Sequence, residues 1–154
     1  MGFSLFKSKS PEFLTAAEKE RLVEAIRSAE SRTSGEIRIY IESHCKYVDP
    51  VERAAEVFYQ LKMEQTVERN AVLLYIAVKD HQLAIYGDEG IHNKTGVQYW
   101  RELVSHILQE FNQDHFAEGI CQYVYEIGEG LHSYFPYDRA SDHNELPDDI
   151  VFGK

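Results

Sequence analysis

Glu68-Arg69-Asn70-Ala71-Val72-Leu73-Leu74-Tyr75-Ile76-Ala77-Val78, then Lys79-Asp80-His81-Gln82, then Leu83-Ala84-Ile85-Tyr86-Gly87-Asp88-Glu89-Gly90-Ile91, is the stretch that decides the fold. Val72 to Val78 is apolar at consecutive positions, the pattern of a central strand covered on both faces. A polar turn and a second, shorter strand follow, ending in a glycine-flanked acidic loop. A hairpin reverses the chain. The loop at Asp88 and Glu89 therefore returns beside Glu68 and Asn70, and carboxylates distant in sequence gather at one edge of a sheet.

The flanking segments supply the remaining layers. Thr15-Ala16-Ala17-Glu18 is a capping box, and Leu22, Val23, Ile26 and Ala29 follow on one helical face. Ile37, Ile39 and Ile41 alternate with Arg38, Tyr40 and Glu42, which is the period of a strand. Asp49-Pro50 opens a helix whose buried stripe is Val51, Ala54, Ala55, Phe58 and Leu61. Strand, helix, strand in this order implies a right-handed parallel crossover. A helix is expected from Thr95 or Gly96, with Trp100, Leu103, Val104, Ile107, Leu108 and Phe111 inward. Asn112 to Asp114 break it, and Phe116, Ile120, Val124, Ile127 and Leu131 carry another helix up to Pro136. The expected fold is α/β, a three-layer α/β/α sandwich around a small mixed sheet of at least three strands.

A chain of 154 residues suits one domain with a proper core. Its formal net charge of -10 disfavours nucleic acid, which needs a basic footprint to replace phosphate counterions. The same charge suits divalent cations or a basic partner. Cys45 and Cys121 form no Cys-x-x-Cys pair, so both are read as reduced residues. No run is apolar enough to cross a bilayer, and the start lacks the apolar core of a signal peptide. Gly2 has the place of a myristoylated glycine, but Phe6 stands where Ser or Thr is wanted. A cytoplasmic protein is expected.

Two clusters could carry chemistry. The first joins Glu36, Glu68, Asn70, Asp88 and Glu89, because parallel strands start at one edge and the returning strand ends there. Carboxylates with an amide oxygen are a ligand set for a hard cation, calcium or magnesium. The alternative is that these are turn and strand-end carboxylates in water. The second cluster, His44, Cys45, Asp80 and His81, lies at the opposite edge and offers transition-metal ligand types without a zinc spacing. Turn chemistry alone also explains Asp80-His81. There is no nucleophile elbow, phosphate loop or dinucleotide fingerprint, so no organic cofactor is expected.

Asn70 with its aliphatic run, the hairpin, the acidic loop from Gly87 to Gly90 and two amphipathic helices together resemble the TPM domain. That family takes its name from a thylakoid-lumen acid phosphatase, a photosystem II repair protein and an acetylcholine-receptor modulator. The likeness runs from about Phe13 to Pro136 and includes Thr33-Ser34-Gly35-Glu36-Ile37. It places an extension at 1–12 and an acidic tail at 137–154, where Ile150-Val151-Phe152 forms an apolar patch able to dock. Arg69 and Ala71 stand where such domains commonly carry Asp and Gly, and Arg69 removes one acidic ligand while repelling a cation. The resemblance implies an interaction module for a protein partner, membrane-associated or not, that binds a divalent cation weakly. The alternative it implies is a metal-assisted acid phosphatase using the same carboxylates.

Overall fold

A computed structural model describes residues 14–110, 116–137 and 150–153. Its elements are α1 (Ala16–Glu30), β1 (Glu36–Glu42), α2 (Pro50–Gln60), β2 (Ala71–Ala77), β3 (Gln82–Gly87), α3 (Glu89–Thr95), α4 (Val97–Glu110), α5 (Phe116–Tyr134) and β4 (Ile150–Phe152). The strands form one mixed sheet in the order β3-β2-β1-β4. β1 runs parallel to β2 with Glu36 opposite Ala71, and β3 runs antiparallel to β2 with Gly87 opposite Val72. All seven residues of β2 are buried, as its unbroken apolar run requires.

The two faces of the sheet carry separate cores. Ile37, Ile39 and Ile41 join Val72, Leu74 and Ile76 on the face covered by α1, α4 and α5. Leu73, Tyr75 and Ala77 point the other way, against Ala54, Val57 and Phe58 of α2. The described residues therefore form an α/β/α sandwich, with α1, α4 and α5 on one side, joined there by Ile91 of α3, and α2 on the other. The capping box of α1 is formed, with Glu18 N donating to Thr15 Oγ1 at 3.1 Å and Thr15 N to Glu18 Oε1 at 2.8 Å.

Two local readings change. The acidic loop is not open: Asp88 caps a further helix, α3, whose first turn contains Glu89 and Gly90. Gly96, at φ 78°, then separates α3 from α4, which starts at Val97, next to the start expected at Thr95 or Gly96. Val51, placed by its spacing in the buried stripe of α2, is 46% exposed. It stands in the first turn of α2, beside the outer edge of β3, where no further strand covers it among the described residues. At the far side of the sheet the patch Ile150-Val151-Phe152 adds β4 parallel to β1, pairing Ile39 with Ile150. The extension 1–12, Phe111, the break at 112–114 and the tail stretch 138–144 lie outside the described residues, as do the side chains of Val104 and Leu108.

Candidate functional site

The acidic edge is built by register. Glu36 starts β1, Asn70 precedes β2, and Asp88 follows β3, so strand pairing alone brings the three backbones together. Glu36 N donates to Asn70 O at 3.4 Å, and Asp88 N donates to Ala71 O at 3.0 Å. Gly90 N reaches Arg69 O at 2.9 Å, which tacks the first turn of α3 onto the segment entering β2. Arg69 adopts φ 52°, a left-handed conformation that non-glycine residues rarely take. Two of the five residues grouped by sequence, Glu68 and Glu89, are exposed; Glu36, Asn70 and Asp88 are buried.

Arg69 does not stand apart from this cluster. Its Nε donates to Asp88 Oδ2 at 2.6 Å and its Nη2 to Asp88 Oδ1 at 2.8 Å, a two-pronged ion pair. Asp88 Oδ1 also accepts from Glu89 N at 2.8 Å and so caps α3. Arg69 Nη1 lies 3.5 Å from Glu89 Oε2. The hydrogen bonds to Asp88 hold the guanidinium still more firmly protonated than an ordinary arginine. Asp88 is only 1% exposed, so its charge is balanced inside the protein rather than by water. Arg69, a like charge toward any cation at this edge, is thus also an ion-pair partner, as lone arginines commonly are. Asn70 Nδ2 donates to Ser34 Oγ at 3.1 Å, while its buried Oδ1 has no hydrogen-bond partner among the described residues. Such an atom is costly to leave unsatisfied.

At the opposite edge His44 Nδ1 lies 2.8 Å from Asp80 Oδ1, and Cys45 N donates to Asp80 Oδ2 at 2.7 Å. Three of the four residues grouped there by sequence therefore meet. His81, at φ 52°, shapes the hairpin turn and donates its N–H to Val78 O at 3.3 Å. Among the described residues no group of three or more His, Cys, Asp and Glu side chains is arranged to hold a metal ion. His44, and then the Cys45 amide, hold the Asp80 carboxyl below its ordinary value. A depressed carboxylate stabilises the fold above its unfolded pKa, and that contribution is lost as pH falls through the folded value. A carbon-13 titration should place the Asp80 midpoint below the usual range near 4, and His44→Ala should move it back up. An unchanged midpoint in His44→Ala would refute the pairing.

A third cluster escapes sequence reading. Glu42, at the end of β1, accepts from Arg53 Nε at 2.9 Å, from Arg53 Nη2 at 3.0 Å and from the Tyr75 hydroxyl. Arg53 Nη1 continues to Glu56 Oε1 at 2.7 Å, and Tyr47 OH donates to Glu56 Oε2 at 3.1 Å. Burial, then the hydrogen bond to Glu42, push the Tyr75 phenol far above its ordinary value, so it stays a donor. The only legible trace is the i, i+3 spacing of Arg53 and Glu56 on α2.

Comparison with known proteins places this arrangement. The TPM domain family matches residues 8–139. The NMR structure of the BA42 protein from the psychrophilic bacterium Bizionia argentinensis is 41% identical in sequence. That match covers 96% of this chain and 100% of that chain, with a TM-score of 0.83. The N-terminal domain of the cg2496 protein from Corynebacterium glutamicum is 14% identical, over 83% of this chain and 88% of that one, with a TM-score of 0.59. The second likeness is one of fold alone. No curated protein matches the chain. Among the described residues no helix is long and apolar enough to cross a membrane.

Proposed function

The chain belongs to the TPM domain family, and from that premise we propose a non-catalytic interaction module whose acidic edge takes a divalent cation weakly. The carrying observation is the Arg69 fork on Asp88, at 2.6 and 2.8 Å. A metal-assisted phosphatase needs carboxylates free to hold an ion while it polarises a phosphoryl oxygen. Here the most buried carboxylate of the edge already has a permanent cation against it. The residues that would hold calcium or magnesium are Asp88, Glu89, Glu68, Asn70 and Glu36. The unpartnered Asn70 Oδ1 suits such an ion, since hard cations fill their shell with amide as well as carboxylate oxygens. Competition from Arg69 keeps the affinity low. Two free cysteines, Cys45 and Cys121, suit a reducing compartment such as the cytoplasm.

Calcium titration followed by amide NMR tests this reading. Signals from 68–71 and 87–90 should move while Asp80 and His81 stay, with a Kd between about 10⁻⁵ and 10⁻³ M. Asp88→Asn is a poor control, because Asp88 is buried and caps α3. Glu68→Gln with Glu89→Gln touches exposed carboxylates only and should weaken the response. Arg69→Gln should tighten binding by removing a like charge while keeping a hydrogen-bond donor in reach of the buried Asp88. Unchanged affinity in both variants would move the site elsewhere. Calcium- or magnesium-dependent hydrolysis of an aryl phosphate would overturn the non-catalytic reading.

A further inference from the structure

Among the described residues β3 is the outer strand of the sheet, and the main-chain groups on its far side have no strand to pair with there. Asp88 N donates to Ala71 O, and β2 and β3 pair without interruption from Val72–Gly87 to Ala77–Gln82. Bonding in an antiparallel pair alternates residue by residue. Gln82, Ala84 and Tyr86 therefore turn their N–H and C=O groups toward β2, and Leu83 and Ile85 turn theirs outward. The inward side of the sheet agrees, because Val78 N, of opposite parity on the same chain, donates to Glu42 O of β1. Edge strands are commonly protected by proline, lysine or a bulge. Gln82-Leu83-Ala84-Ile85-Tyr86-Gly87 has no proline or lysine, and its register with β2 is unbroken.

A groove of about 360 Å³ runs along this edge. Its floor is four consecutive strand residues, Leu83 to Tyr86; Leu83, Ala84 and Ile85 are 3%, 1% and 7% exposed, so the groove meets the strand along a narrow strip between its walls. One wall is the start of α2, with Asp49 and the half-exposed Val51. The other is α3 and α4, with His92, the buried Trp100 and the exposed Arg101. Arg101 is held by no ion pair or side-chain hydrogen bond among the described residues. The sheet already accepts one short strand from a remote part of the chain, β4, at its other edge.

We propose that this groove binds an extended peptide by strand addition to β3, with a peptide carboxylate meeting Arg101. Main-chain pairing to Leu83 and Ile85 supplies affinity, and side chains alternating between the two walls supply selectivity. One side of the peptide faces Trp100 and Arg101; the other packs small apolar residues on Val51. A second copy of this chain fits less well. Its own β3 lies between the same two walls, α2 and α4, which a slender extended peptide does not carry. The proposal gives the interaction module a docking surface and rests on that reading, but not on the cation edge.

The test uses the full chain and fluorescein-labelled Thr-Val-Glu-Val-Thr-Val, its reversed sequence, and forms of each with Glu replaced by Lys or with alternate amides N-methylated. In the free protein the amides of Leu83 and Ile85 should exchange faster than those of Ala84 and Tyr86. At least one orientation should bind saturably and slow exchange at Leu83 and Ile85. N-methylation on the paired side should abolish binding, and the Glu-to-Lys form should bind about tenfold more weakly. Arg101→Glu, at an exposed position, should reverse the preference between the Glu and Lys forms. Failure of both orientations to bind, or equal binding of the N-methylated forms, overturns strand addition. So does a concentration-dependent dimer that protects Leu83 and Ile85 without peptide. An intact calcium response with no peptide binding would sink the groove and spare the cation edge. Peptide binding together with phosphate hydrolysis would spare the groove and sink the non-catalytic reading.

Discussion

Replacing Glu42 with alanine should lower the unfolding free energy by about 3–5 kcal/mol, the cost of removing one partner from a buried ion pair. Glu42 is 4% exposed and accepts from both Arg53 and Tyr75. Its loss leaves the Tyr75 hydroxyl, wholly buried, without its carboxylate, and leaves the Arg53 guanidinium, whose side chain is 13% exposed, with Glu56 as its remaining acidic partner. Tyr75→Phe removes a donor cleanly and should cost only about 1 kcal/mol. Pairing Glu42→Leu with Arg53→Met should recover most of the loss, because an apolar replacement leaves no buried charge uncompensated. Urea unfolding with an unchanged m value is the measurement. A loss below about 1 kcal/mol for Glu42→Ala would mean that water reaches the cluster.

This cluster also marks where sequence reading stops. β2 is legible because an uninterrupted apolar run has only one stable place in a sheet, and its neighbours follow from the hairpin and the crossover. The meeting of Glu36, Asn70 and Asp88 is legible for the same reason, since strand direction alone fixes which ends coincide. Glu42 and its partners are not. Arg53 lies 11 residues away on a helix and Tyr75 33 residues away inside an aliphatic run, so only the packing of α2 on the sheet joins them. Arg69 is a subtler case. Its charge is legible, but the left-handed backbone that turns it onto Asp88 is not, because arginine has no preference for that conformation. α3 is short, with Ile91 as its one buried residue, and offers no periodicity to read. Its trace is Asp88 followed by Glu89, an N-cap with an acidic first turn. The same two residues also read as a metal ligand pair, and sequence cannot choose between the roles.

Gly90→Ala should destabilise the protein by about 2–3 kcal/mol, in the upper part of the range for overpacking a closed site. Helix propensity points the other way: alanine is favoured over glycine inside a helix by about 1 kcal/mol, and Gly90 lies in α3. Packing decides the sign. A Cβ at Gly90 would sit 2.6 Å from the Arg69 carbonyl oxygen and nearer still to that of Glu68. Both obstacles are backbone, so no side-chain rotation relieves them. The Gly90 N–H is also bonded to Arg69 O, which holds the two segments at this distance. Relief requires α3 to lift from the segment entering β2, and that motion pulls Asp88 away from Arg69. Gly119→Ala is the control, since a Cβ there meets nothing within 4 Å and α5 should gain up to about 1 kcal/mol. Opposite signs for one substitution, with amide shifts at 68–70 only in Gly90→Ala, would establish close backbone approach as the reason for glycine at this edge. Equal stabilisation of both variants would show that α3 is not seated against Glu68 and Arg69, and the geometry of the acidic edge would fall with it.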